Sequence, residues 1–124
     1  MLNKLLGKKG EDKAVEYLKK ERYKIIARNI RKKWGEMDIV ALDPDGTLVF
    51  IEVKTTSGRS AIKGEDQITF RKRQQLLKLA QNLALSSSFN KFILDDTGFR
   101  IDVIVLVIEG KEDIFRHYKN CIFI

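Results

Sequence analysis

The chain has 124 residues, enough for one domain with a single modest core over residues 1–124. Lys and Arg number 24 against 17 Asp and Glu, and this net charge of +7 suits a polyanion, nucleic acid being the commonest. One cysteine excludes an intramolecular disulfide, and no apolar run approaches a membrane span, so the composition points to a cytoplasmic protein.

In chain order, Met1 to Lys9 is too charged for the apolar region of a signal peptide. Leu5 to Glu21 has Ala14, Val15 and Leu18 at helical spacing and predicts a helix. Tyr23 to Asn29 predicts a short strand. Gly35 to Leu42 and Leu48 to Lys54 predict two more, joined by Asp43-Pro44-Asp45-Gly46, a turn sequence that favours an antiparallel hairpin. Ser57 to Asp66 is polar and predicts a loop. Ile68 to Leu85 carries an apolar stripe of Leu76, Leu79, Ala80 and Leu83 and predicts a second helix. After a turn at Asp95-Asp96-Thr97-Gly98, strands are expected over Arg100 to Ile108 and Ile114 to Lys119. The order α-β-β-β-α-β-β describes an α/β fold, a mixed central sheet flanked by helices.

The hairpin carries the chemistry. Strand side chains alternate faces, so Glu36 and Asp38 share one side, as do Glu52 and Lys54. Pairing the strands gathers these acids and the lysine, and clustered charge needs partners or a metal. Mg²⁺ takes oxygen ligands, typically one or two carboxylates with waters. Asp38 and Glu52 supply carboxylates from adjacent strands, and the Val53 carbonyl offers a third oxygen. Lys54 is placed to orient or deprotonate a water, or to neutralise charge on a phosphate. Glu11 falls on the apolar stripe of the first helix with Ala14, Val15 and Leu18. It is either a core-facing acid that shares the metal or Lys54, or an exposed glutamate at the stripe's edge.

Asp38 followed by Glu52-Val53-Lys54 resembles the PD-(D/E)XK nuclease superfamily, with Met37 where that motif's often-missing proline stands. More closely, the chain resembles the YraN-like family. The similar segments are Gly7-x-x-Gly10-Glu11-x-x-Ala14, Arg28-Asn29, Gly35-Glu36-Met37-Asp38 and Phe50-Ile51-Glu52-Val53-Lys54. Lys72, Arg100-Ile101-Asp102-Val103, His117 and Asn120 continue the match, so it spans nearly the whole chain. The resemblance implies a restriction-endonuclease-like core related to archaeal Holliday-junction resolvases. It further implies a phosphodiesterase dependent on Mg²⁺ or Mn²⁺, with Glu11, Asp38, Glu52 and Lys54 as its catalytic set. Thr55-Thr56 stands where the family frequently has arginine.

Other residues have two readings each. Glu36 either binds a second metal or pairs with Lys54, in both cases as a helper. Lys72 faces a bound phosphate or is a surface lysine covering apolar neighbours. Arg100 and Asp102 are expected to form a structural pair, His117 to be structural, and Trp34 to be core rather than a base-stacking platform. Cys121 is expected to be a small buried hydrophobe. Arg59, Lys63, Arg71, Lys72 and Arg73 form a cationic surround suited to a DNA backbone. Two functions remain open: an endonuclease acting on branched or otherwise structured DNA, and a nucleic-acid-binding module without catalysis. Resolvase-like relatives act as homodimers, and the tail Cys121 to Ile124 is either core or interface.

Overall fold

The computed structural model describes residues 2–57, 69–93, 98–109 and 112–122. Helix α1 (Leu2–Lys20) leads into strands β1 (Lys24–Lys32), β2 (Gly35–Leu42) and β3 (Leu48–Ser57). Helix α2 (Phe70–Leu85), a 3-10 turn at Asn90–Phe92, and strands β4 (Phe99–Glu109) and β5 (Glu112–Tyr118) follow. The element order is the expected one. The expected loop lies, beyond Ser57, outside the described residues, as do Asp95, Asp96 and Thr97 of the expected turn.

The five strands form one sheet in the order β1-β2-β3-β4-β5. Neighbours are antiparallel except β3 and β4, which run parallel and therefore need the crossover that α2 supplies. The β2–β3 hairpin forms as its turn sequence predicts. Asp43 Oδ1 accepts the N–H of Asp45 at 2.8 Å, and Gly46 takes a φ of +93° that a Cβ would disfavour.

The helices cover opposite faces. On one face Leu76, Leu79, Ala80 and Leu83 of α2 pack on Val40, Leu48, Phe50 and alternate residues of β4. On the other, Ala14, Val15 and Leu18 of α1 pack on Ile39, Ala41, Val49, Ile51 and Ile104. Apolar residues at helical spacing thus meet apolar residues at strand spacing, which fixes both layers. No described helix is long and apolar enough to cross a membrane.

Two irregularities create the site. Pairing of β2 with β3 runs only from Leu42–Leu48 to Ile39–Ile51, while β3 continues beside β4 as far as Ser57–Ile108. Beyond Ile51 the sheet therefore forks. In β2, Met37 and Val40 both face α2 although Ile39 and Ala41 face α1, so the alternation breaks around Asp38.

Candidate metal centre

Five elements deliver carboxylates or their partners to this fork. Asp38 leaves β2 where the ladder ends, and its Oδ2 accepts the N–H of Val53 on β3 at 2.8 Å. A side chain thus satisfies a backbone donor that the interrupted ladder leaves over. Glu36 lies two residues upstream on β2. Glu11 arrives from α1, whose close approach depends on Gly10. A Cβ at Gly10 would lie 2.9 Å from the Thr55 Cβ on β3, well inside contact distance. The glycine lets the helix touch the strand and sets the next residue, Glu11, over the fork.

Glu11, Glu36 and Asp38 each bring a carboxylate oxygen within 4.8 Å of the others. Glu52 adjoins Asp38 from β3, with its side chain only 14% exposed. Its Oε1 meets Lys72 Nζ of α2 at 3.5 Å, while Oε2 is buried without a hydrogen-bond donor. Thr69 caps α2 by accepting the Lys72 N–H at 3.2 Å, which fixes the turn from which Lys72 reaches the site.

The electrostatics follow from crowding. Burial, then the neighbouring Asp38, pushes the Glu52 carboxyl up to about 8, against a smaller opposing pull from Lys72. Burial, then Asp38 and Glu36, pushes Glu11 up to about 7, with Arg28 opposing. Adjacent carboxylates accept but do not donate, so each such contact is favourable only with a shared proton or a cation between them. A donor set made wholly of carboxylate oxygens, with one buried oxygen unpartnered, fits a hard divalent cation such as Mg²⁺ or Mn²⁺.

Several sequence expectations are corrected here. Glu36 stands among the acids as a full member of the trio, and its ion pair is with Arg31 Nε at 3.6 Å rather than with Lys54. Lys72, with its side chain 40% exposed, pairs with Glu52 at 3.5 Å. Trp34 is 45% exposed and is not core. Lys54 is half-buried, two residues beyond Glu52 on β3, and has no ion-pair partner among the described residues. Arg71 and Arg73 are exposed on α2. Arg59 and Lys63 lie outside the described residues.

Asn29 is a site residue that the sequence reading missed. It lies on β1 between the pairs Arg28–Ile39 and Ile30–Met37, hence across from Asp38. Its φ of +52° is in the left-handed region, which asparagine tolerates better than most residues. With its amide nitrogen turned to the surrounding acceptors, it donates to Glu11 Oε2 at 3.0 Å and Glu36 Oε1 at 3.1 Å. The Arg28-Asn29 pair was visible in the sequence, but a one-residue distortion in a strand leaves no periodic signal.

On β4, Arg100 and Asp102 do form the expected structural pair, at 3.1 Å. Asp102 is fully buried and also accepts from His117 Nε2 at 2.7 Å and from the Asn120 N–H at 2.9 Å. The Tyr17 hydroxyl meets the other His117 nitrogen at 3.0 Å. Every partner is satisfied, which is what a structural role requires. Cys121 is half-buried against the α2-side core.

A mixed sheet in this order, with acids converging where its second and third strands part, is the architecture of the PD-(D/E)XK superfamily. The chain belongs to the uncharacterised protein family UPF0102, whose model matches residues 10–106. It is 41% identical over 122 residues to a UPF0102 protein of Desulforamulus reducens, covering 96% of each chain. A UPF0102 protein of Trichlorobacter lovleyi is 42% identical over 121 residues, covering 95% of this chain and 90% of the relative. One from Persephonella marina is 37% identical over 120 residues, covering 97% and 95%.

Proposed function

We propose that this chain is a divalent-cation-dependent endonuclease that hydrolyses phosphodiester bonds in DNA, with branched or otherwise structured DNA as its substrate. The observation that carries this reading is the convergence of Glu11, Glu36 and Asp38, from a helix and a strand, beside a half-buried Glu52 whose buried Oε2 is unpartnered. A binding module has no use for crowded acids facing an anionic ligand, because they would repel it.

Glu11, Glu36, Asp38 and Glu52 are the residues that would hold the cation. When bound, it supplies Lewis-acid polarisation of a phosphoryl oxygen and lowers the pKa of an attacking water. The chain's own residues do the rest. Asp38 is held in place by the Val53 N–H, so its second oxygen has a fixed direction. Asn29 spans Glu11 and Glu36 and holds their spacing. Lys54 brings an ammonium with no ion-paired carboxylate among the described residues, suited to holding the attacking water or the charge that develops on the phosphate. Lys72 offsets part of the charge on Glu52 until a cation does so. The exposed Arg71 and Arg73 suit contacts to the DNA backbone, which position a substrate without reading sequence.

A nicking assay with Mn²⁺ on duplex, flap, junction and single-stranded DNA tests the reading. Wild type is expected to cleave at least one of these, and Asp38→Asn is expected to bind that substrate without cutting it. Wild-type binding with no cleavage of any substrate would replace the enzyme with a binding module. Equal cleavage by Asp38→Asn would refute the assigned site.

A further inference from the structure

On the α2 side of the sheet runs a groove of about 580 Å³ lined by Trp34, Gln75, Lys78, Gln81, Asn82 and Leu85. It continues along α2 past Gln74 and Arg71 to Phe70, sharing Gln75 and Lys78. Trp34, Phe70 and Leu85 are large apolar side chains standing 45%, 77% and 82% exposed. Trp34 precedes Glu36 by two residues, on the order of 7 Å of extended chain. The groove thus opens onto the same end of β2 that carries the acids. Gly35 itself lies against α2, where an added Cβ would stand in ordinary contact with Leu79 at 3.5 Å.

We propose that this groove binds an unpaired DNA strand leading to the acid cluster, with the Trp34 indole stacked on one of its bases. The inference deepens the nuclease reading and rests on it for the identity of the site. Charge selects the occupant. None of the described lining residues is acidic, α2 contains no Asp or Glu, and Arg31, Lys32 and Lys33 run directly up to Trp34. Lys78 and Arg71 suit phosphates, the amides of Gln75, Gln81 and Asn82 suit base edges, and the indole suits a base face. In duplex DNA the base faces are buried in the stack, so an aromatic platform serves only a strand that is unpaired. A second copy of the chain fits poorly, because a two-fold interface would set these cations against their own copies.

Trp34 is the chain's only tryptophan, so its emission reports this groove alone. The test titrates the full chain, in EDTA, with oligodeoxythymidylate of about ten nucleotides and with a blunt duplex of equal phosphate number. The single strand is expected to quench Trp34 emission and the duplex to quench it far less. By anisotropy of a labelled oligonucleotide, Trp34→Ala is expected to weaken single-strand binding about tenfold, and Trp34→Phe to keep most of it. Equal quenching by duplex would overturn the inference, as would unchanged affinity in Trp34→Ala. Sedimentation showing self-association that Trp34→Ala abolishes would assign the face to a second copy and overturn it equally. Single-strand binding in EDTA without cleavage of any DNA under Mn²⁺ would remove the nuclease reading and leave the groove standing. Cleavage without single-strand preference would do the reverse.

Discussion

The Asp38 carboxylate accepts the Val53 N–H at 2.8 Å, standing in for the backbone carbonyl that β2 would have offered had the two strands stayed paired. One side chain therefore both closes the end of the ladder and points into the acid cluster. The two duties separate by substitution. Asp38→Asn keeps an oxygen for Val53 and removes the charge that crowds Glu11 and Glu52, so the metal-free variant is expected to unfold at a denaturant concentration no lower than wild type. Asp38→Ala leaves Val53 without an acceptor, and is expected to be less stable than Asp38→Asn by about 1–3 kcal/mol. Neither variant should gain the thermal stability that Mn²⁺ confers on wild type. Equal stability of the two would show that the hydrogen bond contributes nothing.

Glu52 gives the metal-free protein a pH dependence of definite sign. Its carboxyl is pushed up to about 8 in the folded state by burial and then by Asp38, so the folded chain binds more protons than the unfolded one between the two pKa values. The stabilising difference is present in full below the unfolded value near 4.5 and is lost as pH rises through the folded value of about 8. Wild type in EDTA should lose stability over that window, by an amount on the order of a few kcal/mol. Glu52→Gln should flatten this slope and raise the melting temperature at pH 8. Mn²⁺ needs the ionised carboxylates, so its binding should weaken as pH falls from 8 to 6 and should release protons. Calorimetry in two buffers of different ionisation enthalpy measures that release; none at pH 7 would contradict the assigned ligands.

The hairpin and both helices were legible because their signals are local. Asp43-Pro44-Asp45-Gly46 specifies its own turn, and the stripe from Leu76 to Leu83 specifies a buried face. The strand β1 runs on to Lys32, past the expected end at Asn29, because as a sheet edge it carries Arg28, Arg31 and Lys32 toward solvent, and these mask its pattern. Asp38, Glu52 and Glu11 were legible as charges where apolar residues belong. The fork was not, because the point where β2 leaves β3 depends on how α1 and α2 press on opposite faces. Without the fork, strict alternation pairs Glu36 with Lys54, whereas the distorted strands give Glu36 to Arg31, Asn29 and the acids.

Gly10 should be intolerant of alanine even though alanine is the better helix former by about 1 kcal/mol. The added Cβ meets the β-carbon of Thr55 at 2.9 Å, an atom that no rotamer change can move. The helix must retreat, carrying Glu11 away from Asp38. Gly10→Ala is expected to cost about 1–3 kcal/mol in denaturant unfolding and to weaken Mn²⁺ binding. Adding Thr55→Ala should restore part of both losses by trimming the opposing side chain. A Gly10→Ala chain more stable than wild type would mean that α1 does not depend on this contact.

Asp102 should respond to pH in the opposite sense to Glu52. Burial alone would raise its carboxyl, but hydrogen bonds from His117, the Asn120 N–H and Arg100 outweigh that and hold it below the usual range. Its folded pKa is depressed, so the stability it contributes is present above the unfolded value near 3.8 and is lost as pH falls through the folded value. Asp102→Ala leaves the half-buried Arg100 guanidinium with Asp43 as its one ion-pair partner among the described residues, and strands the His117 nitrogen. The expected loss at pH 7 is on the order of 3–5 kcal/mol, the range for breaking a buried ion pair from one side. Asp102 pairs with Ile51, where the fork begins, but its own partners are Arg100, His117 and the Asn120 N–H and none of the clustered acids. An Asp102→Ala chain that still folds should therefore bind Mn²⁺ with wild-type affinity. Loss of Mn²⁺ binding in a chain whose circular dichroism is native would tie this network to the metal centre and refute its purely structural role.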